Sequence, residues 1–481
     1  MIKQPEYRKQ IDDWVDDHRE QMLEDLKMLV RIPSVREEPE DGMPYGPMAA
    51  KAVAAMQALM EQYGLRTRNY ENYCVAGDLD GKGEKTLDIL SHLDVVPVSE
   101  DWKKTQPFEP LIEGDRIYGR GTSDDKGPSI AALYAMRCIR ELGLELKSGV
   151  RLVCGSDEEC GSSDLEYYYG IEKEALYTIS PDADYPLINV EKGRLGKAFG
   201  QKGRIEKEAG LGKVRVERID VGTKINVIPG KGMVVLSGVT EEALEMAADR
   251  TGLPGAFSWT QSSDTFFVSV KGKFGHAAYP GDGVNCVTLI LEFLKHLNLS
   301  DGAGERALLE AGKLWPHGDF RGEALHVDCS DEISGSLTMS LDLLKYEISG
   351  DGQEWSLTGA FDCRSPMCCN DSNLTDRIRE RLEKAGFWME AGTMVPPHYV
   401  SEDSELVQKL LESYELYFEK KGKPLVTGGG TYVHGLERGV AFGCAVFGVD
   451  NRMHGDDEFM EISILVKSAK ILADAILRLC G

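Results

Sequence analysis

Five short segments of this chain concentrate the residue types that ligate metals and move protons. They are SHLDVVP (91–97), GRGTSDDKGP (119–128), GSDEECGSSD (155–164), SPDADYP (180–186) and RMHGDDE (452–458). Together they supply His92, Asp94, Asp124, Asp125, Glu158, Glu159, Asp182 and His454. Two imidazoles and several carboxylates are enough to hold two metal ions and leave one glutamate beside them as a base. The chemistry this permits is hydrolysis of an amide bond by metal-activated water, with the base passing a proton to the leaving amine. Mixed nitrogen and oxygen ligands suit zinc, manganese or cobalt, and are too nitrogen-rich for a magnesium or calcium cage. Two ions roughly 3.5–4 Å apart polarise a carbonyl and lower the pKa of a shared water toward ~7.

Each segment also has an ordinary structural explanation. His92 and Asp94 form an HxD pair, and on extended backbone residues i and i+2 point the same way. His92 can then ligate while Asp94 orients it from behind, although many such pairs are surface features. Asp124 and Asp125 follow a Gly-rich turn and precede a helix, where a carboxylate either bridges two cations or caps the helix. SDEE at 156–159 sets three carboxylates side by side, a repulsion that a cation offsets; an exposed acidic turn is the plain alternative. Asp182 after Ser180-Pro181 fits an Asx turn. His454 fits a loop or cap position before a helix starting near Asp457. Five ordinary explanations holding together, in this order and each beside a strand end or helix start, are harder to accept. The chain has only 9 histidines, and two of them fall in these acidic motifs.

The elements that must position these residues read as α/β. The periodicity predicts an amphipathic helix over 12–31, a second over 48–63 and a third over 128–142, with Pro128 in its first turn. Apolar strands are expected at Thr86–Leu90 and Val150–Cys154, with His92 and SDEE just beyond their carboxyl ends, where ligands of α/β sheets collect. After about residue 190 the texture changes. KGRLGKAFGQKGRIEKEAGLGKVRVERIDVG reads as strands and turns, TEEALEMAADR and CVTLILEFLKHL as helices, and SGSLTMSLDLLKYEISGDGQEWSLTGAFDCRSP as alternating antiparallel strand. The expected organisation is a catalytic domain split into 1–190 and 396–481, with an inserted α+β domain at 191–395. SELVQKLLESYELYFEKKG reads as helix and VAFGCAVFGV as strand in the last part.

Bulk properties exclude several classes. A chain of 481 residues exceeds one ordinary core. Its net charge of −25 would be repelled by nucleic acid and by anionic membranes, so neither is expected as a partner. No apolar run is long enough to span a bilayer, and from the polar N-terminal segment no secretion signal is expected. The 11 cysteines form no CxxC pair, which points to reduced thiols in a cytoplasm.

Taken in order, the motifs resemble the co-catalytic zinc exopeptidase family that includes acetylornithine deacetylase, succinyl-diaminopimelate desuccinylase, carboxypeptidase G and aminoacylase. They are most similar to its PepV-type bacterial dipeptidases, over nearly the whole chain. The resemblance implies a zinc-exopeptidase-like catalytic domain, with a mixed sheet flanked by helices, carrying an inserted lid. It implies two divalent ions, zinc first, with His92, Asp124 and Asp182 at one and His454, Glu159 and Asp124 at the other. Asp124, aligned with the family's bridging Asp, would precede a cis peptide. Asp94 would support the site and Glu158 would be the base. GHAAYP implies that His276 stabilises the oxyanion, and FDCRSP that Arg364 grips the substrate carboxylate. NVIPG suggests Asn226 as a further polar contact, and the turn Gly428–Thr431 would bring Gly429, Gly430 and Thr431 near the substrate. Here TYVHG stands where PepV-like chains tend to carry TYAR, so His434 replaces an arginine. The long lid implies a monomer acting on small unblocked dipeptides. An N-acyl-amino-acid deacylase or a carboxypeptidase would use the same metal centre.

Overall fold

The computed structural model of the protein describes residues 6–205 and 213–481. The part of the Gly- and Lys-rich stretch at 206–212 lies outside the described residues. The chain divides into two compact units, Met1–Glu191 with His398–Gly481, and Lys192–Pro397.

The first unit is built on a nine-stranded mixed sheet. Its middle is parallel: Ser148–Gly155, Gly83–His92, Tyr177–Ser180 and Gly439–Ala441 lie side by side in that order. Arg66–Tyr70 and Cys74–Leu79 add antiparallel strands at one edge. Ile188–Glu191 continues the other side, flanked by His398–Tyr399 and Leu425–Thr427. Alternation along each strand sends neighbouring side chains to opposite faces, and both faces are covered. Val75, Leu87, Ile89, Val150, Leu152 and Ile179 join one core with the helices Pro47–Gln62, Lys126–Glu141 and Ile462–Cys480. Cys74, Ala76, Leu90 and Val153 face the other way, onto Leu165, Tyr168 and Tyr432. This two-sided burial is why the strand sequences read as continuous apolar runs rather than alternating ones.

The second unit is α+β. An eight-stranded sheet runs Phe257–Ser262, Thr265–Lys271, Lys231–Ser237, Arg215–Val221, Thr338–Ile348, Glu354–Ser365, Gly193–Arg204 and Trp388–Met389. Its neighbours are antiparallel throughout. In Thr265–Lys271 only Phe266, Val268 and Val270 are buried, the one-sided pattern of a sheet with a single covered face. The helices Glu241–Arg250, Cys286–Lys295, Ala303–Leu314 and Thr375–Lys384 share that core.

Three expectations change in detail. The helix expected over 12–31 is two helices, Arg8–Asp17 and Arg19–Val30. At the break the His18 ring stacks on Trp14 and its Nδ1 lies 2.7 Å from the Trp14 carbonyl, competing with the helical ladder for that acceptor. VAFGCAVFGV is two short strands in different sheets, Gly439–Ala441 and Cys444–Val446. No helix starts at Asp457: Arg452, His454 and Asp457 all have positive φ, and Phe459–Glu461 pairs with Arg116–Tyr118 before the helix Ile462–Cys480 begins. Among the described residues, no helix is long and apolar enough to cross a membrane.

Candidate metal centre

The parallel strands of the first unit end together, and their ends supply the chemistry. His92 closes Gly83–His92 and lies in register with Gly155, the last residue of the neighbouring strand. The chain leaving Gly155 therefore passes beside His92 and carries Glu158 and Glu159 there. Tyr177–Ser180 pairs on the other side of the His92 strand, and Asp182 follows its end. Asp124 comes from the turn before the helix Lys126–Glu141, and His454 from the loop before Phe459–Glu461.

Two clusters result. His92, Glu158 and Asp182 bring potential ligand atoms within 4.8 Å of one another, and so do Asp124, Glu159 and His454. Asp124 links the clusters with its two oxygens. Oδ1 lies 3.0 Å from His92 Nε2 and Oδ2 lies 2.8 Å from His454 Nε2. Asp182 Oδ2 is 3.6 Å from His92 Nε2, and Glu159 Oε1 is 3.2 Å from His454 Nε2. Residue type alone did not separate Asp124 from Asp125, and the resemblance pointed to Asp124; the two side chains face different partners here. Asp125 turns back to accept from the Ser91 hydroxyl and, at 3.0 Å, from the His92 amide. The peptide between the two aspartates is cis.

Asp94 holds the frame from behind. Its oxygens accept the amides of Glu158 at 3.2 Å and Glu159 at 3.1 Å, and Oδ1 lies 3.3 Å from His92 Nδ1. One carboxylate therefore orients residues of both clusters.

The electrostatics describe a buried excess of negative charge. Burial works against a charged ring at His92, yet Asp124, Asp182 and Asp94 hold its pKa well above the ordinary imidazole value. His454 is likewise opposed by burial but pushed up to about 11 by Asp124 and Glu159. Burial alone would raise Asp124, but the two imidazoles pull it below the usual carboxylate range. Desolvation raises Glu158 well above that range, and raises Glu159 to about 7 with help from Asp124. The two rings are the only groups in the set that can carry positive charge. His92 Nε2 and Glu159 Oε1 are buried without a hydrogen bond. Orphaned ligand atoms amid surplus carboxylates fit a pair of divalent cations, which would replace the ring protons.

Residues outside the acidic and histidine patterns brace the loops. Arg120 and Glu458 form a buried ion pair at 2.6 Å. Glu458 also accepts the amides of Gly121 and Ser123, which ties the Asp124 turn to the His454 loop. Asp164 accepts the amides of Ser156 and Asp157 and the Tyr432 hydroxyl, fixing the turn before Glu158. Buried Glu191 accepts the Thr431 amide at 3.2 Å and hydroxyl at 2.8 Å, and lies 2.9 Å from His434 Nδ1. Thr431 and the arginine-replacing His434 thus share one carboxylate, while the Gly429 amide donates to Thr427. Arg120 and Glu458 stood inside quoted motifs, but nothing in their spacing marked them as a pair. Glu191 carried no signal in the sequence.

The remaining predicted residues belong to the second unit. Asn226 has a left-handed backbone, with φ of 77°, a conformation asparagine tolerates. Its amide donates to Asp342, and its carbonyl accepts from Ala277 beside His276. His276 pairs with Val227, and its Nδ1 accepts the Ala278 amide at 3.0 Å, which places the ring proton on Nε2. Arg364 is buried and bound fork-to-fork by Asp362 at 2.6 and 2.9 Å.

The chain matches the model of peptidase family M20/M25/M40 over residues 89–478. "Putative dipeptidase YtjP" of Bacillus subtilis (strain 168) is 32% identical over 471 residues, covering 96% of this chain and 97% of that protein. Among solved structures, human carnosine dipeptidase 1 superposes with a TM-score of 0.58 at 15% identity, covering 99% of both chains. The dipeptidase Dug1p from Saccharomyces cerevisiae gives 0.58 at 14%, covering 98% of both. At these identities the two structures establish a shared fold.

Two outcomes are expected from this geometry. Arg120→Ala strands a buried carboxylate, so it should destabilise the first unit by about 3–5 kcal/mol, read as a lower denaturant midpoint; an unchanged midpoint would contradict the brace. The neighbouring carboxylates favour the protonated form of both rings in the metal-free protein, whereas a metal ligand must be neutral. Loading the metal-stripped protein with zinc in weak buffer should therefore release protons, measured with a pH indicator. Absence of proton release would contradict the ligand set.

Proposed function

The chain belongs to peptidase family M20/M25/M40 and is a hydrolase of peptide bonds, and on that premise we propose that it is a two-metal dipeptidase of small unblocked peptides. The observation that carries this reading is Asp124 between His92 and His454, one oxygen directed at each ring. A carboxylate so placed suits a bridge between two ions. His92 and Asp182 would complete one ligand set, and His454 and Glu159 the other. Two divalent ions bound there, zinc foremost, would polarise the scissile carbonyl and acidify the attacking water.

Glu158 is the residue left to move protons. Its half-buried carboxylate lies beside His92 and Asp182, and its amide is pinned by Asp94. Burial raises its proton affinity, which suits a group that takes a proton from water and returns it to the departing amine nitrogen. The oxygen–carbon bond forms, the carbon–nitrogen bond breaks, and the proton ends on the amine.

The proposal assigns His276 to the oxyanion, because a ring with its proton on Nε2 is a ready donor. It assigns Arg364 to the substrate carboxylate, with Asp362 fixing the plane of the guanidinium. Asn226 is a further polar contact, and Gly429, Gly430 and Thr431 give the substrate close backbone approach. The inserted unit is read as a lid, and the enzyme as a cytoplasmic monomer. All 11 cysteines are unbridged, as in a reducing compartment.

Paired free and N-acetylated dipeptides test the substrate class. The free member should be preferred; preference for the acetylated member would turn the reading to an N-acyl-amino-acid deacylase. Glu158→Gln should lower kcat by roughly 10²–10⁴-fold with bound metal retained, and unchanged turnover would refute the base.

A further inference from the structure

The second unit carries a cluster that peptide hydrolysis does not use. Cys329, Cys368 and Cys369 bring their sulfurs within 4.8 Å of one another. Cys329 Sγ lies 3.2 Å from Cys369 Sγ. Cys329 precedes a short hairpin, Ser330–Asp331 with Gly335–Ser336, and its carbonyl accepts the Leu337 amide at 2.9 Å. Cys368 and Cys369 lie in the turn that follows Glu354–Ser365, where the Cys369 amide donates to Pro366 at 3.0 Å.

That turn is braced on both sides. Ser334 Oγ accepts the Met367 amide at 2.7 Å, Asp331 accepts the Cys368 amide at 3.0 Å, and Asn373 donates to the Cys368 carbonyl at 2.9 Å. The Asp331 carboxylate also accepts the Ile333 and Ser334 amides and the Ser334 hydroxyl, so it acts as a brace with its lone pairs engaged. Cys369 is buried, Cys329 half-buried and Cys368 exposed. The cluster therefore has a protected floor and one sulfur at the solvent.

We propose that Cys329, Cys368 and Cys369 form a three-thiolate site for a thiophilic d¹⁰ cation, of the class of monovalent copper and divalent zinc or cadmium. Soft sulfur ligands select these ions. Metal–sulfur bonds of about 2.3 Å around one centre separate the sulfurs by roughly 3.8 Å, within the spread the cluster already has. Loading forms three metal–sulfur bonds and releases three thiol protons, with no change of oxidation state. The remaining coordination position faces solvent at Cys368. A disulfide would use two of the sulfurs and leave the third, together with the bracing that holds it, without a role.

Cadmium is the probe, added to the reduced holoenzyme with its histidine–carboxylate centre loaded with zinc. A thiolate-to-cadmium charge-transfer band should grow and saturate at one equivalent per chain. Cys368→Ser should remove about a third of that band and weaken cadmium binding at least tenfold, while dipeptide hydrolysis, the check on folding, is unchanged. A band that Cys368→Ser and Cys329→Ser leave unaltered, or no band, overturns the site. Alkylation of the wild-type protein needs no variant: bound cadmium should protect Cys368, and equal labelling with and without cadmium overturns the proposal. A Cys329–Cys369 disulfide mapped in freshly isolated protein would also overturn it, in favour of a redox pair.

Discussion

The first unit is organised around a surplus of buried and half-buried carboxylates. Asp94, Asp124, Glu158, Glu159 and Asp182 converge on two imidazoles at the ends of neighbouring strands. Removing such charges from water costs several kcal/mol each unless they are paired. With two imidazoles set against five carboxylates, the arrangement carries surplus acidic groups. On the proposed reading a pair of divalent cations would complete it, taking up the buried ligand atoms of His92 and Glu159.

The rest of the unit makes that concentration of charge tolerable. Parallel strands bring three chain ends to one edge of the sheet, so no long loop has to be ordered to assemble the residues. Backbone amides then neutralise what cations do not. Asp94 takes two from the Glu158–Glu159 turn, Asp164 takes two from Ser156 and Asp157, and Asp125 takes one from His92. Arg120 and Glu458 tie together the two loops that meet at Asp124, although they stand 338 positions apart in sequence. Precision of this kind matters because a ligand set loosened by an ångström loses affinity for its ion.

Much of this was legible before the structure. The segments holding His92, Asp124, Glu158, Glu159, Asp182 and His454 stood out by residue type and by their places at element ends, while the choice of Asp124 over Asp125 came from the family resemblance. The apolar runs around Leu87–Leu90 and Val150–Cys154 marked doubly covered strands. What stayed hidden depends on long-range contact. The Arg120–Glu458 pair and the Glu191–His434 contact join residues hundreds of positions apart, and no local pattern encodes them. The 452–458 loop was misread because Asp457 and Glu458 look like a helix start, whereas positive φ at His454 and Asp457 sends the chain into a strand. The triple-cysteine cluster was invisible for a related reason. Cys368 and Cys369 form no CxxC spacing, and Cys329 joins them only through the hairpin and turn that Asp331 connects.

The central claim is that two cations complete the carboxylate–imidazole cluster and make it hydrolytic. Hydrolysis of an unblocked dipeptide by metal-stripped protein, titrated back with zinc and separately with manganese, tests it most directly. Activity should be absent without metal and should saturate near about two equivalents per chain, the stoichiometry of a co-catalytic pair. Full activity in metal-stripped protein, or saturation at a single equivalent, would contradict the account.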